Sequence, residues 1–418
     1  DHRESRGLGD VYKRQPIIKG TYCMMNDRTL AQYLFGVGVS AADPYAAVQR
    51  AVAKLPTPAL IIAVGKAATR MAQAAIAVFP APCIIVTNYE NVVDVTGAQV
   101  FAAGHPVPDM AGVKAAQAVI TALGEAKGPV LVLISGGGSA LLPAPAGLLT
   151  LSDKAALNKV LLASGLGIEK MNLIRQQVSD LKGGGMLRQC AHTVTALILS
   201  DVVGNDLSTI ASGLTAPPLG TPAQAVAVLH EAGIWDAVPM AVCAHLMLDN
   251  YPIALPFARN ILIGSNEQSV SAMVAARQGI VPILTPVEGD VSAAARLICD
   301  RSAPGITVWG GETTVQIYGT GKGGRNQELA LLIASEAKRR GWDKFTCLAG
   351  GTDGRDGPVE AAGGLVDGDT LKRILGAGGD LSALLANNNS YEALRLAGDL
   401  LITGSTGTNV ADLGVLIR

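Results

Sequence analysis

At 418 residues the chain is longer than one ordinary hydrophobic core accommodates, so two domains are expected. With 49% hydrophobic and 16% charged residues it is not a disordered chain, and a net charge of −1 gives no electrostatic basis for binding nucleic acid or an anionic membrane. No apolar run approaches a membrane span, and the six cysteines stand singly with no CxxC spacing, which argues against zinc and redox motifs.

Residues 1–15, DHRESRGLGDVYKRQ, are polar and basic and have no amphipathic period. They lack the apolar centre of a signal peptide and are set aside as a non-native or disordered tail. Together with scattered thiols, this leads to the expectation of a cytoplasmic protein. The first clear strand is Leu60-Ile61-Ile62-Ala63-Val64, which runs into Gly65-Lys66-Ala67 and a helical stretch. A lysine after a strand, at the mouth of a helix, puts a cation where anions bind. Cys83-Ile84-Ile85-Val86-Thr87 reads as a second strand, and the stiff loop around His105 leads to a helix from Ala111.

Residues 129–134 form an uncharged aliphatic run, read as a buried parallel strand. It ends in Ser135-Gly136-Gly137-Gly138-Ser139, where glycines bring backbone N–H groups and two hydroxyls close to a ligand, most often a phosphate. A helix from Ser152, taken as its N-cap, and a second over 168–177 precede another lysine-and-glycine turn, Lys182-Gly183-Gly184. The strand 193–199 ends in Ser200-Asp201-Val202-Val203-Gly204-Asn205-Asp206, and acids there need a metal, a donor or a hydroxyl. The βαβα rhythm predicts a three-layer, Rossmann-like parallel domain. Pro217-Pro218 opens a helical bridge, after which a second α/β unit begins near Ile261 and carries Asn266, Gly310-Gly311-Glu312, Gly323-Gly324-Arg325 and Gly351-Thr352-Asp353.

There is no GxxxxGK[ST], no GxGxxG after the first strand and no GxSxG. Glycine cradles with a few cations and acids suit phosphoryl transfer, which rests on positioning and charge neutralisation. On the residues alone, the reading is an enzyme of a phosphorylated or small anionic ligand.

The runs Gly310 to Val315, Gly323 to Glu328, Gly351 to Pro358 and Thr406 to Val410 resemble the signature of a MOFRL-type domain. Val64 to Ala67, Gly104 to Asp109, Ser135 to Ala140 and Ser200 to Asp206 resemble its usual partner domain. Together they resemble the class II glycerate kinases, some of which carry the name hydroxypyruvate reductase. The resemblance implies two three-layer α/β domains, residues 16–240 and 241–418, with the MOFRL region at about 305–412 and the active site in the cleft between them. It implies transfer of the ATP γ-phosphoryl group to D-glycerate with Mg²⁺, giving 2-phosphoglycerate; a monomer or homodimer is expected. The alternatives are a hydroxypyruvate or tartronate oxidoreductase using NAD(P)H and a catalytically silent anion-binding protein.

By the same resemblance, Lys66 and Arg325 are the essential cations and Asp201 is catalytic. Ser135, Gly136, Gly137, Gly138, Ser139, Lys182, Gly183 and Gly184 cradle the nucleotide phosphates. Asn266, Glu312, Thr352 and Asp353 complete the nucleotide set, and Asp201 and Asp206 are the metal candidates. The sequence departs from the family pattern at Leu214, where proline is usual, and at Asn389, where aspartate is usual.

Overall fold

The computed structural model describes residues 25–248 and 256–418; the proposed tail, 1–15, lies outside the described residues. The chain divides into two compact units: Pro44–Ile263, and Gly264–Arg418 with the N-terminal segment that ends at Asp43. The expected boundary at 240/241 thus moves to 263/264, because residues 258–264 supply a strand of the first sheet. The helix Asp27–Ala41 belongs to the second unit, where its Leu30, Leu34 and Phe35 are buried with Met273, Leu348 and Leu413.

In the first unit six strands form one sheet: β1 (Leu60–Val64), β2 (Cys83–Asn88), β3 (Ala98–Ala103), β4 (Val130–Ile134), β5 (Val194–Leu199) and β6 (Ala258–Gly264). Their spatial order is β3-β2-β1-β4-β5-β6, and β1 to β5 run parallel. Every residue of β1, β2 and β4 is buried, as strands covered on both faces require. The expected Rossmann-like parallel sheet is therefore present. Its strand order reverses between β1 and β4, and open α/β sheets bind ligands outside the carboxyl ends of strands at such a point.

The second unit is α/β as expected, but its sheet is mixed. The strands are β7 (Ile280–Pro282), β8 (Val287–Asp290), β9 (Ile306–Thr314), β10 (Thr346–Gly351), β11 (Gly363–Asp367), β12 (Leu400–Leu401) and β13 (Asp412–Ile417). The order is β12-β11-β10-β13-β9-β7, with β8 also on β9. The last strand, β13, lies antiparallel between β10 and β9. Glu312 sits on β9. The chain passes through Gly311 because a Cβ there would lie 2.1 Å from the Val287 carbonyl oxygen, at a φ of +154°.

One local expectation is corrected. The helix Leu151–Ala163 is capped by Thr150, whose hydroxyl accepts from the Asp153 N–H while Asp153 accepts in return from the Thr150 N–H. Ser152 lies inside the helix, since the reciprocal capping box outcompetes a single serine cap.

Candidate active site

The switch point of the first sheet brings together the two loops singled out in the sequence. After β1, Gly65 takes φ +121°, and a Cβ on it would lie 2.2 Å from Ser135 Oγ, so only glycine lets the loops touch. The Lys66 N–H donates to the Gly136 carbonyl (2.9 Å), and the Ala67 N–H donates to Ser135 Oγ (3.1 Å). Ser135 is buried, so its hydroxyl fixes one loop against the other. Gly137 turns left-handed (φ +87°), and a Cβ there would sit 3.1 Å from His105 Cδ2 and 3.3 Å from Lys66 Cγ. His105 joins its neighbour through a cis His105–Pro106 peptide. Burial, and then the charge of Lys66, lower the pKa of its imidazole.

The end of β5 approaches the same loop. A Cβ on Gly136 would lie 2.0 Å from Asp201 Oδ2, so the Asp201 carboxylate rests directly against the glycine loop. Asp206 is placed differently. It accepts from the Ser208 N–H (2.9 Å), the Ser208 hydroxyl and the Thr209 hydroxyl (2.7 Å), holding its own turn. Burial raises its pKa, but those donors outweigh it and the net shift is downward. Among the described residues no cluster of three or more His, Cys, Asp or Glu side chains is arranged to hold a metal ion.

On the far side of the glycine loop, Lys182 Nζ donates to Ser139 Oγ (2.9 Å), and Ser139 Oγ pairs with Ser212 Oγ (2.8 Å). Lys182 is buried, and burial followed by the charge of Arg175 brings its pKa down to about 8. The next two residues do not cradle a ligand through their N–H groups. Gly183 donates to the Ser212 carbonyl (3.1 Å) and Gly184 to the Gly213 carbonyl (2.7 Å). Ala211 and Ser212, at φ +49° and +58°, hold a left-handed conformation that is strained for non-glycine residues. Leu214, the departure from the family pattern, is buried in the core beneath this segment, so it packs rather than contacts a ligand. A cavity of about 520 Å³ opens here, with Ser139, Lys182 and His105 in its wall.

In the second unit a separate cluster centres on Arg325, the first residue of the helix Arg325–Arg339. Its Nε and Nη2 donate to the two oxygens of Asp412 (2.6 and 3.1 Å), and its Nη1 meets Glu312 Oε1 at 2.8 Å. A bidentate pair fixes the guanidinium plane. Burial pushes Asp412 up to about 6, while the two carboxylates hold Arg325 firmly charged against its own burial. Asp412 was missed as a site residue. The available signal was an acid leading the apolar run 413–417, a buried charge that demands a partner.

Asn266 and Thr352, expected to contact nucleotide, hydrogen-bond to the segment that leads into Asp412, and Asp353 holds its own turn. Asn266 Nδ2 donates to the Val410 and Asp412 carbonyls (both 2.8 Å). The Thr352 hydroxyl donates to the Ala411 carbonyl (2.6 Å) and accepts from the Val410 N–H. Asp353 accepts from the Arg355 N–H (3.0 Å) in its own turn. Asp356 caps the helix from afar, accepting from the Asn326 and Gln327 N–H groups (3.2 and 2.8 Å). Gly324 is required there, because a Cβ would lie 2.3 Å from Asp356 Cγ. Asn389, the other departure, accepts from the Lys322 N–H (3.1 Å), a bond its amide oxygen makes as an aspartate oxygen would.

The chain matches known proteins over both units. Residues 30–247 match the family described as "Domain of unknown function (DUF4147)", and residues 305–412 match the MOFRL family. The D-glycerate 2-kinase of Thermotoga maritima is 38% identical over 92% of this chain and 97% of its own length. A putative hydroxypyruvate reductase of Agrobacterium vitis is 37% identical over 95% of this chain and 96% of its own. A crystal structure of glycerate kinase from Thermotoga maritima superposes with a TM-score of 0.87 at 36% identity, covering 93% of this chain and 99% of that one. The chain therefore belongs to the glycerate kinase family in which a DUF4147 domain is joined to a MOFRL domain.

Proposed function

We propose that the protein transfers the γ-phosphoryl group of ATP to the 2-hydroxyl of D-glycerate. The observation that carries this reading is the pairing of the Lys66 and Ser135–Ser139 loops at the β1/β4 switch point, with a cationic cavity beside them. Phosphoryl transfer asks little covalent chemistry of a protein and much positioning and charge stabilisation. Lys66 and Lys182 supply positive charge around the glycine loop. Arg325, its plane fixed by Asp412 and Glu312, offers a rigid cation to a carboxylate or a transferring phosphoryl group. In this reading Asp201, whose carboxylate lies against Gly136, accepts the proton of the attacking hydroxyl or holds Mg²⁺. Asp206 fits the metal poorly, since its oxygens already accept three donors. Mg²⁺, when bound, neutralises charge on the phosphoryl oxygens.

The reductase reading shares the strand order of dinucleotide-binding folds, but Gly65-Lys66-Ala67 stands where their glycine fingerprint would be. Two coupled assays separate them: ADP release with ATP and D-glycerate, and NADH oxidation with hydroxypyruvate. The kinase reading requires the first and is overturned by the second alone.

The acidity of Lys182 gives a pH signature. With its pKa near 8, below the ordinary 10.5, the ammonium loses its proton as pH rises through about 8. The charged groups around it are Arg175 and Lys154; His105, already shifted down, stays neutral in this range. ATP affinity should fall about tenfold between pH 7 and 9. Titration calorimetry across that range should show the fall moved to higher pH in Lys182→Arg.

A further inference from the structure

Residues 315–324 carry the chain of the second unit from β9, which holds Glu312, to Arg325 at the start of its helix. Gly319, Gly321, Gly323 and Gly324 fall in this stretch, so it has little conformational preference of its own. The run Gly319-Thr320-Gly321-Lys322-Gly323-Gly324 has the composition of an anion cradle, yet the N–H groups leading into it are already engaged. Tyr318 and Gly319 donate to Asn388 Oδ1 (2.7 and 3.0 Å), and Thr320 donates to Asn387 Oδ1 (3.0 Å). Gly321 donates to the Asn387 carbonyl (2.9 Å) and Lys322 to Asn389 Oδ1 (3.1 Å). Consecutive donors from Tyr318 to Lys322 thus end on consecutive asparagines. Gly319 and Gly321 serve this approach, because a Cβ on either would lie 2.4 Å from the Asn387 carbonyl oxygen. The Tyr391 N–H closes the clasp on the Lys322 carbonyl (3.0 Å). Asn388 does more than accept. Its Nδ2 donates to the Gln316 carbonyl (3.0 Å), and it hydrogen-bonds the half-buried Glu328 carboxyl in the first turn of the Arg325 helix. It holds φ +50°, a left-handed conformation that asparagine adopts more readily than most residues.

We propose that Asn387, Asn388 and Asn389 are positioning residues for the reaction, holding the 315–324 loop so that Arg325 keeps one fixed arrangement with Glu312; this rests on the kinase reading. The Arg325–Glu312 pair needs such support. The Glu312 side chain is 44% exposed, and an ion pair that open to water contributes little by itself. Ordering the glycine-rich connection removes the freedom that would let the turn before Arg325 fray. No bond is made or broken on the asparagines, which act through the loop. Their chemical requirements differ. Asn389 is needed only as an acceptor, a role the family's usual aspartate also fills, and a negative charge is favourable there at the start of the helix Ser390–Ala397. Asn388 is needed as acceptor and donor together, and a carboxylate in its place would face the Gln316 carbonyl and Glu328 with no proton to give.

The test measures kcat and KM of the full chain with ATP and D-glycerate, together with tryptic cleavage after Lys322, an exposed loop residue whose cleavage needs no substrate. Asn388→Asp should lower kcat about 10- to 100-fold, with KM for both substrates within about threefold of wild type. It should also speed cleavage at Lys322 about tenfold. Asn389→Ala should lower kcat about three- to tenfold, and Asn389→Asp should stay within about twofold of wild type. Should Asn388→Asp fail to fold, the two Asn389 variants carry the test. Faster cleavage with kcat unchanged would show that the clasp orders the loop without positioning the site, and would overturn the proposal. Equal losses in Asn389→Ala and Asn389→Asp would overturn the acceptor role. No product from the wild type would overturn the kinase reading instead, and cleavage at Lys322 in Asn388→Asp would then decide the clasp on its own.

Discussion

Lys66→Ala should lower turnover with ATP and D-glycerate by about 10²- to 10³-fold, the range for removing one preorganised charge-stabilising donor. The fold should persist, because the contact that ties this loop to the next is made by the Lys66 backbone N–H, which alanine keeps. Steady-state kinetics with a circular dichroism control checks both statements. A drop in kcat with little change in KM would place the ammonium on the transferring group. Arg325→Lys should approach the same loss. Lysine cannot reproduce a fork that engages both Asp412 oxygens and Glu312 at once.

The second large effect is on stability. Asp412→Ala should cost about 3 kcal/mol in the second unit, the lower end for breaking a buried ion pair, since the Arg325 side chain remains one-third exposed (33%). The variant leaves a guanidinium without its bidentate partner on a buried strand. Trp309 offers a local probe, because its indole lies where a Cβ on Gly414 of β13 would be, 2.1 Å from the ring. Urea unfolding followed by tryptophan fluorescence should show a lower midpoint. The double variant Arg325→Met, Asp412→Leu should recover most of the loss, since it removes both charges.

How far the sequence carried the account follows from where each signal lies. β1, β2, β4 and β5 were legible because uncharged aliphatic runs between glycine-bearing loops have few other uses. β11 was hidden, since its Gly363-Gly364 start reads as a turn. β13 is a strand only because β9 and β10 flank it, a pairing between segments far apart in the chain. Likewise nothing local tells the helix Asp27–Ala41 to bury Phe35 among residues beyond 270. In the site, Lys66 and the Ser135–Ser139 loop were legible as cations and glycines at strand ends, and the structure brings them into contact. Asn266, Thr352 and Asp353 were read as ligand contacts because motif residues near a site look alike in sequence. Their hydrogen bonds to backbone appear only in three dimensions. Lys154 and Arg175 read as ordinary helix surface, and only the packing of two helices around one cavity turns them inward.

The measurement that tests the account most directly is ³¹P NMR of the protein with ATP, Mg²⁺ and D-glycerate, run beside Lys66→Ala. The account predicts a 2-phosphoglycerate resonance growing with ADP, dependent on glycerate and nearly absent in the variant. Intact ATP with no phosphorylated product, or 3-phosphoglycerate in its place, would contradict it.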